Sequence, residues 1–238
     1  MINIAEELKN IYRNDRVPLT ASPAHIVLKL YFPDLDFTLS NDKIDGETFE
    51  LNESLCHDND LVFGSCEASQ LKITIADIDV DLSGQIMVVT QTVNDAYTLP
   101  IGSFTVKSCK RKDDQWFREI IAYDYMKKFD VDVSDWYNGL FPTGDETYTL
   151  AQFRASLLAH FNIEEDTSNL PLPNDNMIVE KTIEPTQISG RTVMEACEEI
   201  NGCFGRMGRN GKFKHIVLQP GYGLYPSETL YPSDDLFP

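Results

Sequence analysis

Three aspartates at alternate positions, Asp77, Asp79 and Asp81, have the spacing that opens an EF-hand calcium loop. Such a loop needs glycine at its sixth position and a bidentate glutamate at its twelfth, where this chain has Leu82 and Val88. The run therefore reads as the wet face of a strand. Asp130, Asp132, Ser134 and Asp135 fail the same test, with Phe141 in the twelfth place. Gly205, Gly208 and Gly211 lack the dinucleotide-binding spacing and precede a strand, so they are expected to serve a turn. The four histidines, His25, His57, His160 and His215, sit in none of the H-E-x-x-H, G-x-S-x-G or S-x-x-K contexts that mark hydrolases. Cys56 and His57 are adjacent, and a working cysteine–histidine dyad normally joins distant segments. Glu195, Glu198 and Glu199 resemble an acid pair for glycoside hydrolysis only superficially, because two such carboxylates must face each other across a cleft. They are read as a solvated helix face. The five cysteines form no C-x-x-C pair and no zinc-knuckle spacing, and reduced thiols are expected. No catalytic residue, metal ligand, cofactor-binding residue or cofactor is thus expected, and the chain is not read as an enzyme.

The elements that would carry these residues fall into blocks. Residues 3–13 read as a short amphipathic helix capped by Asn3, with Ile4, Leu8 and Ile11 on one face and Pro18 and Pro23 beyond, so 1–24 is taken as helix and linker. From 25 to 122 the pattern has period two. Strands are expected at 25–32, 37–39, 48–51, 71–82, 85–92, 98–107 and 116–122, with Asn94-Asp95 as a turn. That spacing suits a small antiparallel β-barrel or sandwich. After Tyr123 the period becomes helical: Thr149 to Gln152 match a capping box, and Phe153, Leu157, Leu158 and Phe161 form one stripe. A strand is expected at 177–182. A second helix begins near Ser189, places Val193, Ala196, Cys197 and Ile200 inward, and stops at Asn201-Gly202. A hairpin follows, 203–207 and 212–218, turning through Gly208 to Gly211, and residues 123–218 are read as one α/β domain with two helices and that hairpin. Residues 219–238 contain the repeat Tyr225-Pro226-Ser227 and Tyr231-Pro232-Ser233, which favours an extended linker toward a further C-terminal region. The fold class expected is α+β, a small N-terminal barrel followed by that α/β domain.

A chain of 238 residues can bury two modest cores or one large one, and 42% hydrophobic content is that of a folded protein. The net charge of −18 opposes binding to a phosphate backbone. Only two short basic runs, 107–112 and 206–212, break it, and both are read as solvated turns. The start lacks the basic and apolar regions of an export signal, and no run of eighteen apolar residues occurs, so no membrane insertion is expected.

Residues 53–71, containing Phe63-Gly64-Ser65-Cys66-Glu67-Ala68-Ser69, resemble a short acidic loop, F-G-x-x-E-A-S and strand found in tail-hub proteins of siphophages and prophages of Gram-positive bacteria. The order of later segments, Ile101 to Val106, Ile121 to Met126, Leu150 to Phe161 and Ile200 to Gly205, is similar to that family's, which is related to the late control protein D family. The resemblance spans about residues 44 to 236. It implies a barrel, an α/β domain and a second barrel, with three copies forming a ring that continues the tail tube. The expected function is then a structural part of a tail tip or baseplate hub, made in the bacterial cytoplasm and carried in the virion tail. Its partners would be two further copies of itself, other tail proteins, and DNA only as passing cargo, with Asp77, Asp79 and Asp81 as candidates for an acidic channel wall. A receptor- or carbohydrate-binding module using Trp116, Trp136, Tyr137 and Tyr148 is the alternative. A cell-wall hydrolase is a third reading, without a catalytic set to carry it.

Overall fold

The computed structural model describes residues 25–56, 61–113 and 116–217. The helix expected at 3–13, the Cys56–His57 dyad and the repeat at 225–236 involve positions outside those residues. Seven strands make the first half: β1 (Ile26–Phe32), β2 (Phe37–Leu39), β3 (Ile44–Asn52), β4 (Gln70–Ala76), β5 (Ile86–Val93), β6 (Tyr97–Arg111) and β7 (Phe117–Asp124). All pairings are antiparallel, in the order β2-β1-β5-β6-β7-β4-β3. The alternation in β4 holds in part: Leu71, Ile73 and Ile75 are fully buried and Lys72 is exposed and paired with Glu119, but Thr74, on the face of Lys72, is buried as well. Asn94 and Asp95, both at positive φ, make the tight turn between β5 and β6.

The expected small barrel is not formed, because the sheet is open. Leu30, Leu39, Ile44, Ile73, Met87, Val89, Phe104, Val106 and Ile120 share one buried cluster, so the sheet curls enough to cover a common core from both of its edges. Closure would require β3 to pair with β1 beyond the three-residue β2. Instead, Asn41 occupies that edge of β1. Its side-chain oxygen accepts the Leu28 N–H at 2.8 Å and its amide donates to the Ile26 carbonyl at 2.8 Å, so one carboxamide replaces a strand neighbour. An apolar groove of about 410 Å³ between Ile26, Leu28, Ile44, Phe49 and Ile101 marks the seam.

Two further expectations change. The strand expected at 71–82 ends at Ala76, and Asp77 turns away to pair with Arg118 and Arg111, although Leu82 is still buried. The basic run 107–112, expected in a turn, lies largely in β6, which runs on to pair with β7.

Among the described residues the second half contains three α-helices, not two: α1 (Ser134–Leu140), α2 (Leu150–His160) and α3 (Gly190–Asn201). Strands β8 (Thr147–Thr149) and β9 (Ile178–Glu180) pair with each other, as do β10 (Cys203–Met207) and β11 (Phe213–Val217). The capping box is present, with Thr149 accepting from the Gln152 backbone and Gln152 accepting from the Thr149 N–H. Ser189 caps α3, and Gly202 at φ 64° ends it. Met126, Phe129, Phe141, Phe153, Leu157, Val193, Met194 and Phe213 form a second buried cluster. Gly64, at φ +90°, lies so close to α3 that a Cβ there would stand 2.7 Å from the Glu195 carbonyl. Only glycine lets the connection between β3 and β4 pass beneath that helix.

Asp124 marks the hand-over from sheet to helices. Its carboxylate accepts the Ser69 N–H at 3.0 Å and the Met126 N–H at 3.1 Å. Burial raises this carboxyl from its ordinary 3.8 to about 6 against those hydrogen bonds. An acid with a raised folded-state value favours the fold when protonated. That contribution is fully present below about pH 4 and is lost as the pH rises through about 6, a change of about 3 kcal/mol. Asp124→Asn should remove it. Denaturant titrations at pH 4 and pH 7 are expected to show the variant gaining on the wild type by about that amount at the higher pH, and an equal difference at both would refute the assignment.

Candidate functional site

Helix α3 does not present the face its apolar pattern suggests. Val193, Met194, Cys197, Glu198 and Asn201 are buried, whereas Ala196 and Ile200 are exposed. The inward stripe is displaced by about one residue, and it carries a carboxylate with it. Glu198, expected on a solvated face, is fully buried.

That carboxylate belongs to a chain of alternating acidic and basic side chains. Both of its oxygens face Nδ1 of His215, at 3.0 and 2.9 Å, and Oε2 accepts from the Cys203 thiol at 2.9 Å. On the other side of the ring, Nε2 of His215 lies 2.9 Å from Oε1 of Glu165. Glu165 accepts from Nε of Arg154 at 2.6 Å, and Nη1 of Arg154 donates to Asp175 at 2.6 Å. Asp175 also accepts the Leu172 N–H at 2.8 Å.

Each member is placed by its element. Arg154 projects from α2 and Glu198 from the last turn of α3, while Cys203 opens β10 directly after the Gly202 cap. His215 pairs with Gly205 across the hairpin, so its ring shares the helix-facing side with Cys203. Gly205 has to be glycine, since a Cβ there would meet the Phe213 ring at 2.5 Å and Cys66 Sγ at 2.6 Å.

The electrostatics follow from burial and pairing. Burial pushes the His215 ring toward neutrality, and the hydrogen bonds to Glu165 and Glu198 more than offset it, holding the ring above its ordinary value. Burial likewise raises Glu165, but His215 and Arg154 together keep it below the usual carboxylate range. Burial and the Glu198 charge push the Cys203 thiol well up, so it is a proton donor and not a thiolate nucleophile. Cys197 is raised to about 12 for the same two reasons. Among the described residues, Glu198, Cys203 and His215 are the group whose donor atoms converge closely enough to hold a metal ion.

The other residues weighed from sequence are dispersed. Asp132 accepts backbone N–H groups of Ser134 and Ile188, and Asp130 pairs with Lys127 and Arg191, so both act as structural acceptors. Asp77 is tied to two arginines, which leaves Asp79 and Asp81 as the exposed members of their run. Trp136, Tyr137 and Tyr148 pack on the second core against Phe153 and Phe141, and Trp116 is 77% exposed. The second basic run does lie at the hairpin turn, where Arg206 and Arg209 clamp Glu53 at 3.0 and 2.6 Å and Arg209 also donates to the Ile101 carbonyl. These contacts join the hairpin to the sheet beside a cleft of about 390 Å³. No helix among the described residues is long and apolar enough to cross a membrane.

Fold and site together define an α+β protein: an open, curled antiparallel sheet joined to a helical unit in which buried acidic and basic side chains pair with one another. No protein-family model and no curated protein sequence matches the chain. Among solved structures it is similar to the 43 kDa tail protein of prophage MuSo2 from Shewanella oneidensis, at 12% identity and a TM-score of 0.53, over 82% of this chain and 56% of that one. It is also similar to the tail protein from Neisseria meningitidis MC58, at 11% identity and a TM-score of 0.51, over 80% of this chain and 50% of that one. At these identities the likeness shows a shared fold. The chain spans about half the length of the solved structures it matches.

Proposed function

We propose that this chain is a structural component of a phage or prophage tail, in the tail tip or baseplate hub, related to the late control protein D family. The observation that carries the reading is the shared backbone with two tail proteins over about four-fifths of the chain. The order of sequence segments from 53 to 205 agrees with it, and the polar interior supports a building block better than an enzyme. His215 and Cys203 are engaged with Glu198, and His160 packs against Trp136 and Phe161, which uses these side chains in holding the fold.

In this reading, residues 25–122 and 123–218 are two structural units with two buried clusters, the second of which also takes in Cys66 from the connection between β3 and β4. The chain is made in the bacterial cytoplasm and enters the virion tail, where three copies and neighbouring tail proteins form a ring that continues the tube and passes DNA as cargo. Assembly proceeds through side-chain surfaces. Asn41 blunts one sheet edge, and at the other β3 is interrupted by an irregularity between Asp45 and Glu50. Exposed apolar side chains suited to burial in an assembly include Met177, Ile178 and Ile183, each at least half exposed. Light scattering on the purified chain is expected to give the mass of a trimer. A monomer at every concentration tested would remove ring formation from the proposal. The receptor- or carbohydrate-binding alternative loses most of its support, because three of its four aromatic residues are committed to the core.

A further inference from the structure

The geometry points to a binding site for a divalent transition ion, zinc being the best match, formed by Cys203 Sγ, His215 Nδ1 and the Glu198 carboxylate and stapling α3 to the β10–β11 hairpin. This inference does not depend on the assembly reading.

The donor set is one thiol, one imidazole nitrogen and one carboxylate, each from a fully buried residue, with the ligand atoms all within 4.8 Å of one another. A soft sulfur beside an imidazole selects zinc-like ions over calcium or magnesium, which prefer oxygen cages. Ligand atoms around a tetrahedral zinc at its usual bond lengths stand about 3.5 Å apart. The contacts of 2.9 Å from Glu198 to the thiol and to the ring are slightly shorter than that, so the ion requires a small outward shift of side chains and no rebuilding of the backbone.

Charge balance favours the exchange. With the thiol and the ring protonated, the cluster of Cys203, Glu198, His215, Glu165, Arg154 and Asp175 alternates in sign and sums to −1. Entry of a dication releases one proton from Sγ and one from Nδ1, and the sum remains −1. The net buried charge is therefore unchanged, whereas added buried charge is the usual obstacle to placing an ion in an interior.

The surroundings of the histidine support the assignment. A metal-bound histidine characteristically donates its second ring N–H to a carboxylate, which orients the ring. Nε2 of His215 does so toward Glu165, and Glu165 is itself held by Arg154. Glu198 has both oxygens turned to the site, so it can bind through one or both.

The test uses the full chain, refolded with zinc chloride so that burial does not block entry, dialysed, and analysed for metal content and thermal midpoint. Refolding with cobalt(II) reports sulfur ligation through a thiolate-to-cobalt charge-transfer band. One ion per chain, a raised midpoint and that band are expected. Cys203→Ser, whose hydroxyl still donates to Glu198, should fold but bind the ion at least about 100-fold more weakly and lose the band. Glu165→Gln should weaken binding by about 10–100-fold while keeping the band. Cys109→Ser, outside the cluster, should leave both unchanged. Retention of less than one ion by the folded wild type, or equal retention by Cys203→Ser, would overturn the site.

Discussion

Arg154→Met is expected to destabilise the protein by about 3–5 kcal/mol, a large part of the total stability of a typical domain. Arg154 is 1% exposed and lies between two carboxylates, at 2.6 Å from each. Methionine fills much of the same volume, so packing changes little. The cost comes from Glu165 and Asp175, which lose their shared cation while still screened from water. Urea unfolding should show a lower midpoint with an unchanged slope. A triple variant that adds Glu165→Gln and Asp175→Asn should recover most of the loss, because it removes the charges that Arg154 compensates. A single variant within 1 kcal/mol of wild type would show that water reaches the pair.

The second large effect belongs to Phe213→Ala, expected to cost about 3–5 kcal/mol. The ring is fully buried, stands edge-on to Phe129 at 6.2 Å, contacts His215 at 5.2 Å, and fills the space left open by Gly205. Its backbone also holds the chain: the Phe213 N–H donates to Glu164 and its carbonyl accepts from Asp166. Truncation therefore leaves a cavity where three segments meet, and the surrounding backbone has little freedom to collapse into it. Phe213→Leu should cost markedly less, which separates loss of volume from loss of the aromatic contact. Equal losses for both variants in denaturant unfolding would mean that the edge-on contacts, not the volume, hold the site.

The legible part of this molecule is local. The strand Phe37–Leu39, the capping box at Thr149, the Ser189 and Gly202 caps and the hairpin at Cys203–Met207 are written in residues within a turn of one another. Helix α1 leaves little trace in the sequence, because seven residues are too few to show a helical period. In α3, Met194 beside Val193 is the local sign that the buried stripe runs through 194 and 198. The helical pattern did not mark Glu198 as buried: the Cys203 thiol lies five residues on, beyond the end of the helix, His215 is 17 residues away, and the next link, from His215 to Glu165, spans 50.

Sequence by itself determined the period-two and helical blocks, the order of most strands and helices along the chain, and where two of the helices begin and end, because those depend on backbone sterics and short-range hydrogen bonds. Only the tertiary structure decided that the sheet stays open, with the Asn41 carboxamide on the free edge of β1, and that five alternating acidic and basic side chains meet in the interior. Whether a carboxylate is solvated or buried depends on what arrives opposite it from distant parts of the chain, and no pattern read along a single segment contains that partner.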